Sequence, residues 1–133
     1  MTRYRDSFPI IYTRDLPAAS RFYRDLLGYT ETYRFPADAA EPVFVSLTLP
    51  DGSGIALAAV EDGQLGAHGQ PMRPRSGHQF ELCLYTDDVD KAIAELRGHG
   101  VPVLAEPADQ PWGERMAYVA DPDGHPVMIC ARL

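Results

Sequence analysis

The sequence predicts an α+β fold made of two βαβββ modules. A helical pattern that begins at Asp15 and ends at Gly28 is repeated by a second pattern that begins at Asp88 and ends at Gly100. The Asp-Gly turn at residues 51–52 is likewise matched by Asp-Gly at residues 123–124, and apolar residues follow both turns. Two copies of one supersecondary unit therefore make up the chain.

The first module is predicted to run β-α-β-β-β. Asp15 is a suitable N-cap for its helix, Pro17 fits the first helical turn, and Gly28 ends the helix. The apolar side chains of that helix recur at helical spacing, which predicts one buried stripe: Ala19, Phe22, Tyr23 and Leu26. Period-two or apolar runs predict the four strands, at residues 8–13, 30–35, 43–49 and 55–60.

The second module repeats this order. Its helix has the same kind of stripe, formed by Val89, Ala92, Ile93 and Leu96. Its strands are predicted at residues 80–85, 101–104, 115–120 and 127–131. We therefore predict a single domain over residues 1–133, with a first module at 1–60, a glycine- and proline-containing connector at 61–76 and a second module at 77–133.

One helix can cover only one face of a four-stranded sheet. The other face of each module must therefore bury itself against something or line a cavity. A curved eight-stranded arrangement with a central cleft satisfies both modules, and we expect a homodimer because association also buries open faces.

Composition excludes several classes of partner. The 12 basic and 19 acidic side chains give a formal net charge of −7, which repels nucleic acid and anionic membranes. No stretch reaches the roughly 20 apolar residues that a membrane helix needs, and the first residues lack the apolar core of a signal peptide. Cys83 and Cys130 both fall in apolar strands, so we expect inert, buried free thiols and a cytoplasmic protein.

Three short motifs give the chain a family resemblance. The first lies around the first helix, with Asp15, Leu16, Phe22, Tyr23, Leu27 and Gly28. The second is Trp112-Gly113-x-Arg115, and the third is the Asp-Pro-Asp-Gly turn at residues 121–124. With the paired βαβββ order, the chain resembles the vicinal oxygen chelate superfamily, which includes glyoxalases, bleomycin resistance proteins and extradiol dioxygenases.

Catalytic members of that superfamily hold a divalent metal at four equivalent strand positions, which the resemblance places at Phe8, Ala56, Glu81 and Met128. Phe and Ala have no lone pair to donate, and a thioether is too soft for Zn²⁺, Mg²⁺ or Mn²⁺. His78 lies an odd number of residues from Glu81, which points it to the opposite face of a strand. His68, His99 and His125 fall in the connector, at a helix end and in a turn. We therefore predict no metal and no cofactor.

The resemblance instead implies metal-independent binding of a small organic molecule, cationic or aromatic, as in antibiotic sequestration. Apolar and aromatic walls with a few polar groups are typical of such sites. The predicted ligand-binding residues are Phe8, Ile10, Tyr12, Ala56, Gln79, Glu81, Cys83, Tyr85, Trp112, Arg115 and Met128.

Several alternatives stay open. Glu81 could pair with a cationic ligand, act as a base, or form a structural ion pair with Arg115. Trp112 could stack on a ligand or pack at a rim, and the strand tyrosines could simply pack, as could Phe8 and Met128. The chain could therefore also be a lyase, isomerase or dioxygenase, either metal-dependent or using Glu81 as base, or a regulatory module without a ligand.

Overall fold

The computed structural model describes residues 3, 5, 6, 8–61, 63, 64 and 81–133. The chain divides into two compact units, Met1–Pro74 and Arg75–Leu133. Each contains one four-stranded sheet with a helix against it, so the predicted α+β fold of two modules is confirmed. The predicted connector at 61–76 lies mostly outside the described residues, and the closure of eight strands around one cleft stays a prediction.

The first unit has the predicted β-α-β-β-β order. Its elements are β1 (Ile10–Thr13), α1 (Leu16–Arg21) continued by a π-helical turn (Phe22–Leu26), β2 (Thr30–Phe35), β3 (Phe44–Thr48) and β4 (Gly54–Ala59). The strand order in the sheet is β1-β4-β3-β2, with β1 parallel to β4 and the other pairs antiparallel. The first and last strands of the module are therefore neighbours.

The second unit repeats this topology. Its elements are β5 (Leu82–Tyr85), α2 (Val89–Gly98), β6 (Val103–Asp109), β7 (Glu114–Ala120) and β8 (Pro126–Arg132). The strand order is β5-β8-β7-β6, with β5 parallel to β8. The predicted internal repeat therefore extends to the pairing of the strands.

The helix ends follow from the residues that the sequence supplies there. The Asp15 carboxylate accepts a 3.0 Å hydrogen bond from the Ala18 backbone N–H, and Asp88 does the same for Lys91. Gly28 follows the first helical segment with a φ of +86°, a backbone conformation that favours glycine. These contacts fix where each helix enters and leaves its module.

Strand β6 differs from the prediction. The sequence predicts a strand over residues 101–104, whereas β6 begins at Val103 and continues through Pro107 to Asp109. β6 is an edge strand, where proline is tolerated, and its pairing with β7 is irregular between Val103 and Ala108. The strand can therefore continue through Pro107 because it lies at the edge of the sheet.

Each sheet has one face against its helix and one open face. Ile11, Val45 and Leu57 are buried on the helix side of the first sheet, whereas Ile10 and Tyr12 on the same strand as Ile11 are exposed. We call the side of each sheet opposite its helix the open face. No helix in the described part of the chain is long and apolar enough to span a membrane.

Candidate functional site

The predicted equivalence of the two modules holds at the level of strand register. Ile10 lies beside Ala56 on the parallel pair β1 and β4, and Cys83 lies beside Met128 on the parallel pair β5 and β8. Since alternate strand residues share a face, Phe8, just before β1, belongs to the side of Ile10. By the same alternation Glu81, just before β5, belongs to the side of Cys83. Phe8 of the first module is therefore structurally equivalent to Glu81 of the second, and Ala56 is equivalent to Met128.

These four positions do not fit the divalent metal that the family resemblance implies. Phe8 and Ala56 have no donor atom, and Met128 has a thioether sulfur. Glu81 alone provides an oxygen ligand. His99 caps α2 and His125 lies in the turn before β8, while His68, His78 and Gln79 fall outside the described residues.

The open face of the first sheet has large, mostly aromatic side chains on its two edge strands, β1 and β2. We call the surface between these two strands the trough. Ile10, Ala56, Ser46 and Tyr33 form one cross-strand row, and Tyr12, Ala58, Phe44 and Phe35 form the next. The central strands contribute the buried Ala56 and the half-buried Ser46, Ala58 and Phe44. The edge strands contribute large side chains that are 40–56% exposed, namely Ile10, Tyr12, Tyr33 and Phe35, and Phe8 extends the β1 wall.

The trough contains residues that the sequence analysis did not select. Tyr33 and Phe35 on β2 face the predicted Ile10 and Tyr12 on β1 across the two central strands. The rings of Tyr33 and Phe44 pack edge to face, with their centroids 6.2 Å apart. The signal in the sequence is the alternation of large residues along β2, which becomes interpretable only once the strand order is known.

The open face of the second sheet brings Glu81 together with Tyr118. The Tyr118 hydroxyl lies 2.9 Å from Glu81 Oε1 and 3.2 Å from Met128 Sδ. Burial and the hydrogen bond to Glu81 together raise the pKa of Tyr118 to about 12. The phenol therefore stays protonated near neutral pH and donates to the carboxylate. The structural ion pair of Glu81 with Arg115 is not formed, because Arg115 pairs with Asp90 and Asp109.

Tyr85 is held by two charged neighbours. Its hydroxyl donates a 2.6 Å hydrogen bond to Glu114 Oε2, and the guanidinium of Arg132 lies 5.2 Å from the centre of its ring. The hydrogen bond raises the pKa of Tyr85. Trp112, in the turn just before Glu114, has 62% of its surface exposed. Tyr85 thus holds a carboxylate at the open face, and Trp112 presents an indole to solvent.

Arg115 lies on the other side of the second sheet. Its guanidinium contacts Asp90 of α2 at 2.7 Å and Asp109 of β6 at 3.0 Å. Alternation along β7 places Arg115 with the buried Ala117 and away from Tyr118. The structure therefore does not bring Arg115 together with Glu81, Cys83 and Met128, and a role in ligand binding stays a prediction without geometric support.

The two cysteines are neighbours, but they are not both buried. Their sulfurs are 3.7 Å apart, and Cys130 is buried while Cys83 is exposed. The expectation of two buried thiols is therefore wrong for Cys83, which lies on the open face of the edge strand β5. Partial burial, followed by contact with Cys130, raises the pKa of Cys83 to about 11.

A second group of potential ligands lies in the turn before β8. One donor atom each of Asp121, Asp123 and His125 falls within 4.8 Å of the others. Asp121 Oδ1 already accepts hydrogen bonds from the backbone N–H groups of Asp123 and His125, at 3.0 and 2.8 Å. In the first module, Asp51 Oδ1 accepts the Ser53 N–H at 3.0 Å. Asp51 corresponds in sequence to Asp123 and not to Asp121, but both Asp51 and Asp121 stabilise their turns by accepting a hydrogen bond from the backbone N–H two residues ahead.

Comparison with known proteins gives consistent results. A family model described as the Glyoxalase/Bleomycin resistance protein/Dioxygenase superfamily matches residues 7–129. An uncharacterized protein of Mycobacterium tuberculosis (strain H37Rv) is 28% identical over 119 residues, which cover 88% of this chain and 68% of that protein.

Two solved structures share the fold over nearly the whole chain. A glyoxalase/bleomycin resistance protein/dioxygenase from Nocardioides is 28% identical with a TM-score of 0.74, over 99% of this chain and 87% of its own. A superfamily member from Sphaerobacter thermophilus is 25% identical with a TM-score of 0.75, over 97% of this chain and 98% of its own.

Proposed function

Because the chain belongs to the Glyoxalase/Bleomycin resistance protein/Dioxygenase superfamily, we propose that it binds a small organic molecule on the open faces of its sheets without a divalent metal. Sequestration of an aromatic or cationic antibiotic-like compound is the activity that this binding would serve. The observation that carries the proposal is the aromatic-walled trough of the first sheet. The family model matches residues 7–129, which include both sheets, so the proposal covers the open face of each sheet.

The trough suits a flat apolar ligand. Large side chains stand at the edges on β1 and β2, and between them the half-buried Ser46, Ala58 and Phe44 lie on the central strands. Exposed aromatic rings offer contact area at a low cost in conformational entropy. A planar ring system laid in the trough would therefore contact Tyr12 on one side and Tyr33 on the other.

The acidic groups of the second sheet favour a positive charge on a ligand that is bound to that sheet. Glu81 and Glu114 lie on or beside the open face of the second sheet, and the chain has a formal net charge of −7. A cation gains from this field both in the rate of encounter and in affinity. Ligand binding, a homodimer and a cytoplasmic location together make up this proposal.

An enzyme that uses Glu81 as a base is the second candidate. One oxygen of the Glu81 carboxylate is fixed by Tyr118, and this arrangement would hold the other oxygen towards a bound substrate. The lyase, isomerase and dioxygenase reactions of the superfamily that need a divalent metal receive no support from Phe8, Ala56 and Met128.

Calorimetric titration with bleomycin and with the planar cation ethidium tests the proposal. We expect heat of binding for at least one probe, unchanged after dialysis against EDTA. Tyr12→Ser should weaken binding roughly ten-fold, because it removes an aromatic contact. Val43→Ser is a matched control, since Val43 is an exposed apolar residue that alternates with the open-face positions of β3.

The outcomes separate the candidates. Equal affinities of the Tyr12→Ser and Val43→Ser variants would exclude the trough as the binding surface. Loss of binding after EDTA treatment would favour the metal-dependent enzyme instead. Absence of binding for both probes, in a chain whose thermal unfolding is cooperative, would contradict the proposal.

A further inference from the structure

The open face of the second sheet has four sulfur-containing side chains on three adjacent strands. Cys83 of β5 lies beside Met128 of β8, and Cys130 of β8 lies beside Met116 of β7. Met128 and Cys130 are two residues apart on one strand and so share a face. The sequence favours inert thiols because it identifies no base near either cysteine.

The separation of the two thiols matches what one metal ion requires. Two sulfurs each about 2.3 Å from one three-coordinate ion, at an angle of about 120°, lie about 4.0 Å apart. The distance between Cys83 Sγ and Cys130 Sγ is 3.7 Å. An ion could therefore bind between these sulfurs with little movement of the side chains.

The same register disfavours a disulfide between the two cysteines. Cys83 is paired with Met128, so Cys130 lies two residues further along the parallel strand. With strands about 4.8 Å apart and a rise of about 3.3 Å per residue, the two Cα atoms are about 8 Å apart. A disulfide needs Cα atoms closer than about 7 Å. The contact between the thiols therefore suits chelation better than oxidation.

Two carboxylates and the guanidinium of Arg132, which lies over the Tyr85 ring, surround the sulfurs, and Met128 remains able to act as a ligand. The carboxylates of Glu114 and Glu81 add to the burial that raises the pKa of Cys83. These charges oppose a free thiolate but attract a cation. The single hydroxyl proton of Tyr118 favours the carboxylate of Glu81 over Met128 Sδ, because a charged oxygen is the stronger acceptor. The thiol of Cys130 lies 3.5 Å from the Leu84 carbonyl oxygen, which is its other polar neighbour.

We propose that Cys83, Cys130 and Met128 form a binding site for one soft monovalent ion of the Cu(I) type. Two thiolates and a thioether are the ligands that select Cu(I) over harder ions. On binding, the two S–H bonds lose their protons to solvent and two Cu–S bonds form, with no change of oxidation state. The site goes beyond the proposed binding of an organic molecule and does not depend on it.

Anaerobic titration with Cu(I), in competition with bicinchoninate, tests the site in the intact chain. We expect one ion per chain, and tighter binding at pH 8 than at pH 6 because binding releases protons. Cys83→Ser should weaken the affinity at least 100-fold and Met128→Leu roughly ten-fold. Glu106→Gln is the control, since Glu106 pairs with Arg97 of α2, on the other side of the sheet, and its loss should leave the affinity unchanged.

Two results would overturn this site. The first is equal Cu(I) affinity of the wild type and the Cys83→Ser variant. The second is an X-ray absorption spectrum of the Cu(I) complex that shows oxygen or nitrogen neighbours in place of sulfur. Because Cys83 is exposed, its replacement by Ser should fold normally, and the far-UV circular dichroism of each variant checks this. Neither result bears on the titrations with organic probes.

Discussion

Tyr118 on β7 and Glu81 before β5 are joined by a 2.9 Å hydrogen bond across the intervening strand β8. The bond fixes one oxygen of the carboxylate on the open face of the second sheet. It also connects two residues of the candidate site that are 37 positions apart in sequence. Whether Glu81 acts on a cation or as a base, its orientation depends on this phenol.

Replacing Tyr118 with Phe should destabilise the fold by about 0.5 to 1 kcal/mol at pH 7, because one partly exposed hydrogen bond is lost. Folding raises the pKa of Tyr118 from 10.0 to about 12, so the folded state holds its proton more tightly than the unfolded state. This contribution is complete below pH 10 and is lost as the pH rises towards 12. Urea unfolding at several pH values should show a smaller alkaline loss for Tyr118→Phe than for the wild type. An identical loss in both would contradict the assigned hydrogen bond.

Cys83 should react slowly with iodoacetamide at pH 8 despite its exposure. Its pKa is raised from 9.0 to about 11, and the thiolate is the nucleophile. The alkylation rate, followed by mass spectrometry, should rise about ten-fold per pH unit between pH 8 and pH 10. The Cys130→Ser variant should react faster, since Cys130 contributes to the shift. A rate at pH 8 equal to that of a free cysteine peptide would contradict the prediction.

Replacing Arg115 with Gln should lower the melting temperature without changing the affinity for an organic probe. Its guanidinium contacts Asp90 of α2 and Asp109 of β6 on the helix side of the sheet. The hydrogen bond from Arg115 lowers the pKa of Asp90 below 3.8, so this stabilisation is present above that pH and is lost on acidification. Differential scanning calorimetry at pH 7 and pH 3 should show the difference between wild type and variant shrinking at pH 3. A changed probe affinity would instead assign Arg115 to the binding site.

Filling the middle of the trough should abolish binding there. Ala58 lies between Tyr12 on β1 and Phe44 on β3, and its side chain is partly exposed. An indole at this position would occupy the space between the aromatic walls, so Ala58→Trp should weaken ethidium or bleomycin binding at least ten-fold. Circular dichroism checks that the variant folds. Unchanged affinity would place the organic ligand elsewhere.

Much of the fold was predictable because the pattern of each module is local. The caps Asp15 and Asp88 and the glycine Gly28 mark the helix ends, and their contacts are as expected. The extension of β6 through Pro107 was not predictable, because it depends on that strand lying at the sheet edge. Local signals thus predict elements, while their neighbours decide how far the elements extend.

The candidate site was less predictable because its contacts are between strands. Glu81 has no visible relationship to Tyr118 until β8 is placed between their strands. Arg115 follows Glu114 directly, yet the alternation of β7 puts the two on opposite faces, and the mixed sequence of that strand does not reveal which face is which. Register, and not residue type, determines which side chains meet.

The shared register of the parallel strand pairs gives residues on β1 and β4 an equivalent position on β5 and β8. The pair Ile10 and Ala56 occupies the backbone environment that Cys83 and Met128 occupy in the second sheet. Exchanging the two pairs would place a thiol and a thioether on the first sheet and two aliphatic side chains on the second. The backbone pairing would stay the same. A substitution at one strand position can therefore change the chemistry of one sheet while the equivalent position of the other sheet keeps its own.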